Sequence, residues 1–291
     1  MAVAERLGAE ILSADSMQVY RGMDIGTAKP TADEQRRVRH HLIDVAEPSE
    51  EFTVAQFVER ADHAIAEAAA AGRPLIVTGG TPLYYKALFE GLFDGPSADA
   101  ALRAKLAEDP PDVLHARLAE IDPAAAARIH ANDTRRTLRA LEVHALTGKP
   151  ISEHQQQWDA PHRHTATWFG LHWEKEAINR RINARVKQML AGGWLEETRQ
   201  LIDHHPTFSR TAGEATGYAE LIQHVRGRLS LDDAAEQIKI ATRQLARRQM
   251  KWFRRWTQVT WLPGQQPVED NAAAVCSLPR VATPERNVRP L

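Results

Sequence analysis

Two short apolar runs flank one alanine-rich segment, and this arrangement restricts the fold more than any other feature of the chain. "AEILSAD" at 9–15 reads as a buried strand. "RPLIVTGGTPLYYKALFEGL" at 73–92 reads as strand, glycine-rich turn and helix, with Pro82 in the first helical turn, where its missing N–H costs nothing. Between them, residues 53–71 read as a helix that Gly72 ends. Strand, helix and strand joined by short links require a parallel α/β sheet with right-handed crossovers. "AVAERL" at 2–7 reads as the end of a helix stopped by Gly8, and "TATWFGLHW" at 165–173 as a further strand of the sheet.

The pattern changes after this core. Residues 97–131 are alanine-rich and helical, broken at Pro110, Pro111 and Pro123, and begin an inserted helical subdomain. "NDTRRTLRALEVHALTGKP" follows as a helix with an Asn-Asp cap and Gly148 at its end. Two long helices are expected at 175–203 and 231–256. The expected domains are an α/β core at 1–96 and 156–262, a helical insertion at 97–155, and a proline-rich disordered tail at 263–291.

Charge divides the chain. Residues 1–100 carry 16 acids and 9 bases, whereas residues 175–255 carry 9 acids and 16 bases. A basic half on a chain of net charge −1 suits either a polyanionic partner on one face or a solvated charged surface. No apolar run is long enough to span a membrane, and the N-terminus has no signal-like apolar region. The single cysteine, Cys276, permits neither a disulfide framework nor a cysteine zinc site, which fits the cytoplasm.

Several side chains are placed to do chemistry. Asp15 lies at the carboxyl end of a parallel strand, where open α/β sheets bind ligands; it is either a base or metal ligand, or a turn former. "TGGT" at 78–81 offers backbone N–H groups and the Thr81 hydroxyl at a helix start. At about 100° per residue, Ile178, Ile182, Val186 and Met189 share one helix face. Arg185 falls inside that apolar face and Arg181 on its edge. A buried arginine needs an anion, either a core carboxylate or a phosphate. Further on, Lys239, Arg243, Arg247, Lys251 and Arg254 form a basic ridge flanked by Arg248 and Arg255, with Ile238, Ala241, Leu245 and Trp252 as the buried stripe opposite. Arg135, Arg136 and Arg139 make a second basic cluster. None of the 13 histidines has metal-ligand spacing.

The longer strings are more specific. "SADSMQVYRGMDIGTAKP" at 13–30, "HHLIDV" at 40–45, "TGGTPLYYKAL" at 78–88, "IHANDTRRTLRALEVHALTGKPIS" at 129–152, "INRRINARVKQML" at 178–190, "EATGYAELI" at 214–222 and "IKIATRQLARRQMKWFRRW" at 238–256 together resemble the tRNA dimethylallyltransferases, also called tRNA isopentenyltransferases. The resemblance implies a P-loop-kinase-like, nucleotide-binding α/β fold: a parallel sheet flanked by helices, with an all-helical insertion. It implies transfer of a dimethylallyl group from dimethylallyl diphosphate to the N6 amine of the adenosine 3′ of the tRNA anticodon, assisted by Mg²⁺. The enzyme implied is a cytoplasmic monomer that grips the anticodon stem-loop.

By the same resemblance, Asp15 matches the general base, and an arginine of the 178–190 helix, Arg185 with Arg181 beside it, is expected to hold the diphosphate. Asp15, Ser16, Met17, Gln18, Thr81, Arg103, Arg135, Arg136, Thr137, Leu138, Arg139, Glu214, Ala215, Thr216, Gly217, Tyr218 and Ala219 match tRNA-contacting positions. The ridge residues Arg243, Arg247 and Lys251 are expected on the phosphate backbone. No metal ligand is assigned.

One departure stands out. The family begins with a strand and a G-x-x-x-x-G-K-[ST] loop, which this chain lacks. Met1 is expected inside the helix that follows that loop, so the first strand and P-loop, about 15–25 residues, are expected to be missing. The expected cause is a start codon assigned downstream; the alternative is a real truncation, leaving a non-catalytic tRNA binder. Two other readings are a transferase acting on free adenine nucleotides and a small-molecule kinase. The insertion and the basic ridge argue against the first, and the absent P-loop lysine against the second.

Overall fold

A computed structural model describes residues 1–93, 95–154 and 162–277. The described chain falls into two compact units, Met1–Leu88 with His164–Leu291, and Phe89–Arg163.

The first unit is built on parallel strands. Strands β1 (Glu10–Ser13), β2 (His40–His41) and β3 (Leu75–Thr78) form a sheet ordered β2-β1-β3. Ile11 pairs with both His40 and Ile76, which fixes the register. All of β1 is buried, as the central strand of a parallel sheet should be. The crossover to β3 runs through the helix Val54–Ala70, whose Thr53 and Gln56 cap each other reciprocally.

Strand β4 (Trp168–His172) does not join this sheet. It pairs in parallel with β5 (Val259–Pro263) in a separate sheet, Trp168 opposite Val259. Among the described residues no strand bridges β3 and β4, so the single sheet expected from the sequence is divided in two.

The expected helix at 175–203 is also two helices, Lys175–Ala191 and Trp194–His204. Gly193 turns the chain at φ 101, a left-handed conformation that glycine adopts without steric cost. The long basic helix runs Leu231–Phe253, capped by the Ser230 hydroxyl. The tail expected to lack structure contains the helix Val268–Ser277. That segment is rich in alanine, a strong helix former, and Ala272 is buried. The rest of the tail, from 278, lies outside the described residues.

The second unit is helical. Leu106, Leu114, Leu118, Leu141 and Ile151 share its core, and the helix Thr134–Thr147 has the expected Asp133 cap and left-handed Gly148 stop. At the core's edge lies Glu142, fully buried, a residue the sequence pattern did not single out.

Candidate active site

Because β1 and β3 are parallel, the segments that follow them leave the sheet at one edge. Ala14 N donates to Thr78 O at 2.7 Å, and Thr81 N donates back to Ala14 O at 3.2 Å. Gly79 permits this crossing: a Cβ there would lie 2.3 Å from the carbonyl of Ala14. The helix Pro82–Glu90 then begins, and the Thr81 hydroxyl accepts from Ser16 N at 3.0 Å and donates to Ser16 Oγ at 3.2 Å.

Asp15 stands at this edge. Its Oδ1 accepts from Met17 N at 2.8 Å and Gln18 N at 3.4 Å. Burial pushes its carboxyl above the ordinary carboxylate value, against the opposing pull of those two amides and the Arg185 cation. Arg185 is held below the usual guanidinium value by desolvation and by the neighbouring Arg181, while Asp15 draws it up. Burial and the charge of Asp15 likewise push up the Tyr85 phenol. A cavity of about 250 Å³ opens at the edge, lined by Ser13, Asp15, Gln18, His40, Thr78 and Gly79 among others.

The loop beyond Asp15 is tied down from several sides. Gln18 accepts from Ser13 Oγ at 2.8 Å and donates to Thr27 O at 3.2 Å and Ala28 O at 3.3 Å. Lys29 is a structural lysine, only 3% exposed. Its three donors meet Tyr20 O, Asp24 and Asp44 at 2.7, 2.5 and 2.6 Å. Glu197 accepts from the backbone N–H groups of Asp24, Ile25 and Gly26, at 3.1, 2.7 and 3.4 Å, and from the Tyr218 hydroxyl at 2.5 Å. Gly26 sits against Trp194 and Tyr218, where a Cβ would come within 2.2 Å of the indole nitrogen.

The helical-wheel expectation for Arg185 needs correction. Ile182 and Val186 are buried, but Arg185 and Arg181 are exposed beside them. Neither has a carboxylate within ion-pair distance among the described residues, and Arg181 lies over the Trp173 ring, 5.2 Å from its centroid. An arginine is long enough to leave part of its length in solvent while its base sits beside an apolar stripe, which the wheel does not register.

Trp252 is corrected as well: it is exposed, while Phe253 and Trp256 pack with Tyr85 and Trp168. Arg243 is half-buried and donates to Asn183 Oδ1 at 2.9 Å, whereas Arg247 and Lys251 are exposed. Gln249 joins this helix to the site turn by donating to Gly80 O at 2.7 Å.

The remaining candidates lie apart from Asp15 in kind. Ala215, Gly217 and Tyr218 are core residues, Glu214 is exposed, and Thr216 and Ala219 are half-buried. In the second unit Thr137 is buried, with its hydroxyl on Asp133 O, and Leu138 packs on the core. Arg103 grips Glu142 with two bonds of 2.9 Å, and Arg139 adds one of 2.5 Å. Arg136 pairs with Asp133 at 2.9 Å, and Arg135 is exposed. Among the described residues no three His, Cys, Asp or Glu side chains gather to hold a metal. Asp15 offers a single carboxylate, which suits only a cation that arrives on substrate phosphates.

This geometry defines a class: an α/β protein with an acid and a hydroxyl turn at the carboxyl edge of parallel strands, and an arginine in electrostatic reach of that acid. The IPP transferase profile matches residues 18–256, and the chain belongs to that family. The tRNA dimethylallyltransferase of Pelotomaculum thermopropionicum is 46% identical over 264 residues, which cover 89% of this chain and 84% of that one. The tRNA isopentenylpyrophosphate transferase of Bacillus halodurans superposes with a TM-score of 0.68 at 38% identity, covering 94% of this chain and 88% of the other. A eukaryotic dimethylallyltransferase acting on tRNA gives 0.81 at 28% identity, covering 94% and 73%.

Proposed function

We propose that this chain transfers a dimethylallyl group from dimethylallyl diphosphate to the N6 amine of the adenosine 3′ of the anticodon in tRNA. The observation that carries the reading is the Asp15 carboxyl, half-buried just past the end of β1 and held by the Met17 and Gln18 amides, with the Arg185 cation within its electrostatic reach. Membership in the IPP transferase family supplies the reaction class.

The chemistry accounts for each group. The adenine amine is a weak nucleophile because its lone pair is delocalised into the ring. As the N6–carbon bond forms and the carbon–oxygen bond to diphosphate breaks, the amine proton passes to the Asp15 carboxylate. Burial makes that carboxylate a stronger base than an exposed one. Arg185 and Arg181 stabilise the departing diphosphate, whose negative charge grows as the bond breaks. Mg²⁺, where it accompanied the diphosphate, would neutralise part of the same charge. Ser16, Met17, Gln18 and Thr81 orient the adenine, which must leave the loop stack to reach Asp15.

Arg247 and Lys251, exposed on the Leu231–Phe253 helix, hold the RNA backbone with Arg243, and Arg135 and Arg136 of the second unit are by themselves a further basic cluster suited to phosphates. The protein works as a cytoplasmic monomer in this reading. No helix among the described residues is long and apolar enough to cross a membrane.

Incubation with labelled dimethylallyl diphosphate, Mg²⁺ and an unmodified anticodon stem-loop tests the proposal. Label at N6 of the adenosine is the expected result. Asp15→Asn should retain RNA binding and lose about 10²-fold or more in rate. Label on free AMP but not on RNA would replace the proposal with a nucleotide transferase. Stem-loop binding without transfer would leave a tRNA binder.

A further inference from the structure

The Leu231–Phe253 helix exposes a large aromatic side chain where an apolar contact would be expected. Trp252 is 38% exposed, although Phe253 and Trp256 beside it are packed into an aromatic cluster. The surroundings of the ring are cationic. Arg247, Arg248, Lys251, Arg254 and Arg255 are all exposed, and the Arg255 guanidinium lies 5.8 Å from the Trp252 ring centroid. The last acid of the helix is Glu236, and it is already engaged by Lys239.

An exposed indole is not needed to hold the helix down. Gln249 on Gly80, Arg243 on Asn183, and Phe253 in its cluster already do so. The helix also reaches the site. Gln249 touches the Gly80 turn that follows β3, and Trp252 is less than one helical turn further along, about 4.5 Å of rise. A flat π-face among arginines and lysines matches one ligand chemistry: an unpaired nucleobase on a polyanionic strand. The base stacks on the ring while the cations take the phosphates.

We infer that Trp252 is a stacking platform for an unpaired base of the RNA bound along this helix. The inference rests on the tRNA reading above and deepens it by adding a base contact to a surface otherwise read as a backbone grip. Arg255 serves the platform by covering part of the indole and limiting its rotation, so that the remaining surface is presented to the strand. A base held here is a neighbour of the one delivered to Asp15. It helps keep the loop open while the target base is out of the stack.

The test measures binding of wild type, Trp252→Ala, Trp252→Leu and Trp252→Phe to two RNAs: an unmodified anticodon stem-loop, and a fully paired duplex of equal length. Trp252→Ala and Trp252→Leu should weaken stem-loop binding by about 5- to 100-fold, and Trp252→Phe by much less, because an aromatic face remains. Duplex binding should not change, and the slope of log affinity against log salt should stay the same, because no cation is removed. Thermal melts should show every variant folded at the temperature of the binding assay, with Trp252→Phe matching wild type, since most of the residue is covered. Leucine serving as well as tryptophan, equal losses on both RNAs, or a changed salt slope each overturn stacking. Wild type that binds the stem-loop with an indifferent Trp252→Ala variant overturns stacking alone. Wild type that binds no stem-loop overturns the tRNA reading together with it.

Discussion

Glu197→Ala removes one carboxylate and strands three donors, the amides of Asp24 and Ile25 and the hydroxyl of Tyr218, while the Gly26 amide keeps the Tyr218 hydroxyl oxygen at 3.2 Å. These do not count equally. The Asp24 amide is in an exposed setting and water replaces its acceptor, and the Gly26 bond is long at 3.4 Å. The Ile25 amide and the buried Tyr218 hydroxyl carry most of the loss. At about 1.5–3 kcal/mol for each hydrogen bond to a charged group, taken at the lower end for a half-buried carboxylate, the substitution should cost about 3 kcal/mol. Urea unfolding followed by circular dichroism reads that difference. Hydrogen exchange at residues 24–26 reads where it is spent, and those amides should lose protection first. Tyr218→Phe should cost less, and the double variant should show coupling of about 1 kcal/mol or more. A Glu197→Ala protein within about 0.5 kcal/mol of wild type would mean that the carboxylate does not anchor the loop. Equal protection at residues 24–26 in both proteins would mean the same.

The acid limb of the transfer rate reports on Asp15. A base must be ionised to accept a proton, so the rate should fall as pH drops through the raised Asp15 pKa, which lies above the ordinary 3.8. Arg185→Ala removes a cation that opposes the shift and should move that limb to higher pH. An unmoved limb would separate the two residues. Because burial disfavours the ionised carboxylate in the fold, stability is lost as pH rises through that pKa, and Asp15→Asn should melt higher than wild type at neutral pH. Glu142 has the opposite sign. Burial pushes it up, but Arg103, Arg139 and the Asp99 amide outweigh burial and hold it below the ordinary value. Its contribution is present above the ordinary carboxylate range and is lost as pH falls through the lowered pKa. Arg103→Ala should cost the Phe89–Arg163 unit about 1–2 kcal/mol in urea unfolding and flatten this acid dependence. Lys251→Ala should weaken stem-loop binding and reduce its salt slope by about 0.7–0.9, which a salt titration measures.

What the sequence shows and what it hides divide by range. The strands read in 9–15 and 73–92 are β1 and β3, and the position of Asp15 just past the first puts it at the carboxyl edge of the sheet. Caps are local chemistry, so Asp133 and Gly148 mark their helix correctly. Periodicity is weaker near helix ends: it assigns Trp252 to the core, but Phe253 and Trp256 fill that space. The pattern at 175–203 reads as one helix across the double glycine, although Gly193 turns the chain there. Contacts between distant segments leave no trace in pattern. Nothing near Glu197 announces that it holds a loop 171 to 173 residues earlier, and Glu142 looks like any helix-surface acid until Arg103 is found 39 residues away. Motif resemblance marks 214–219 as functional, but not that Tyr218 acts through a buried hydroxyl on Glu197.

One backbone bond has a consequence for how this chain can diversify. The Arg163 amide donates to the Phe89 carbonyl at 2.8 Å, so the helical unit departs and returns at a single point. The parent unit therefore meets the whole segment as if it were a tight turn. The entropy of closing a loop grows only slowly with its length. Residues can thus be gained or lost within 89–163 without stretching the path from the Pro82–Glu90 helix to β4. Such a segment is free to change under selection while the sheet edge that carries Asp15 keeps its shape. Grafts that exchange this segment between relatives at that point should leave the parent unit folded.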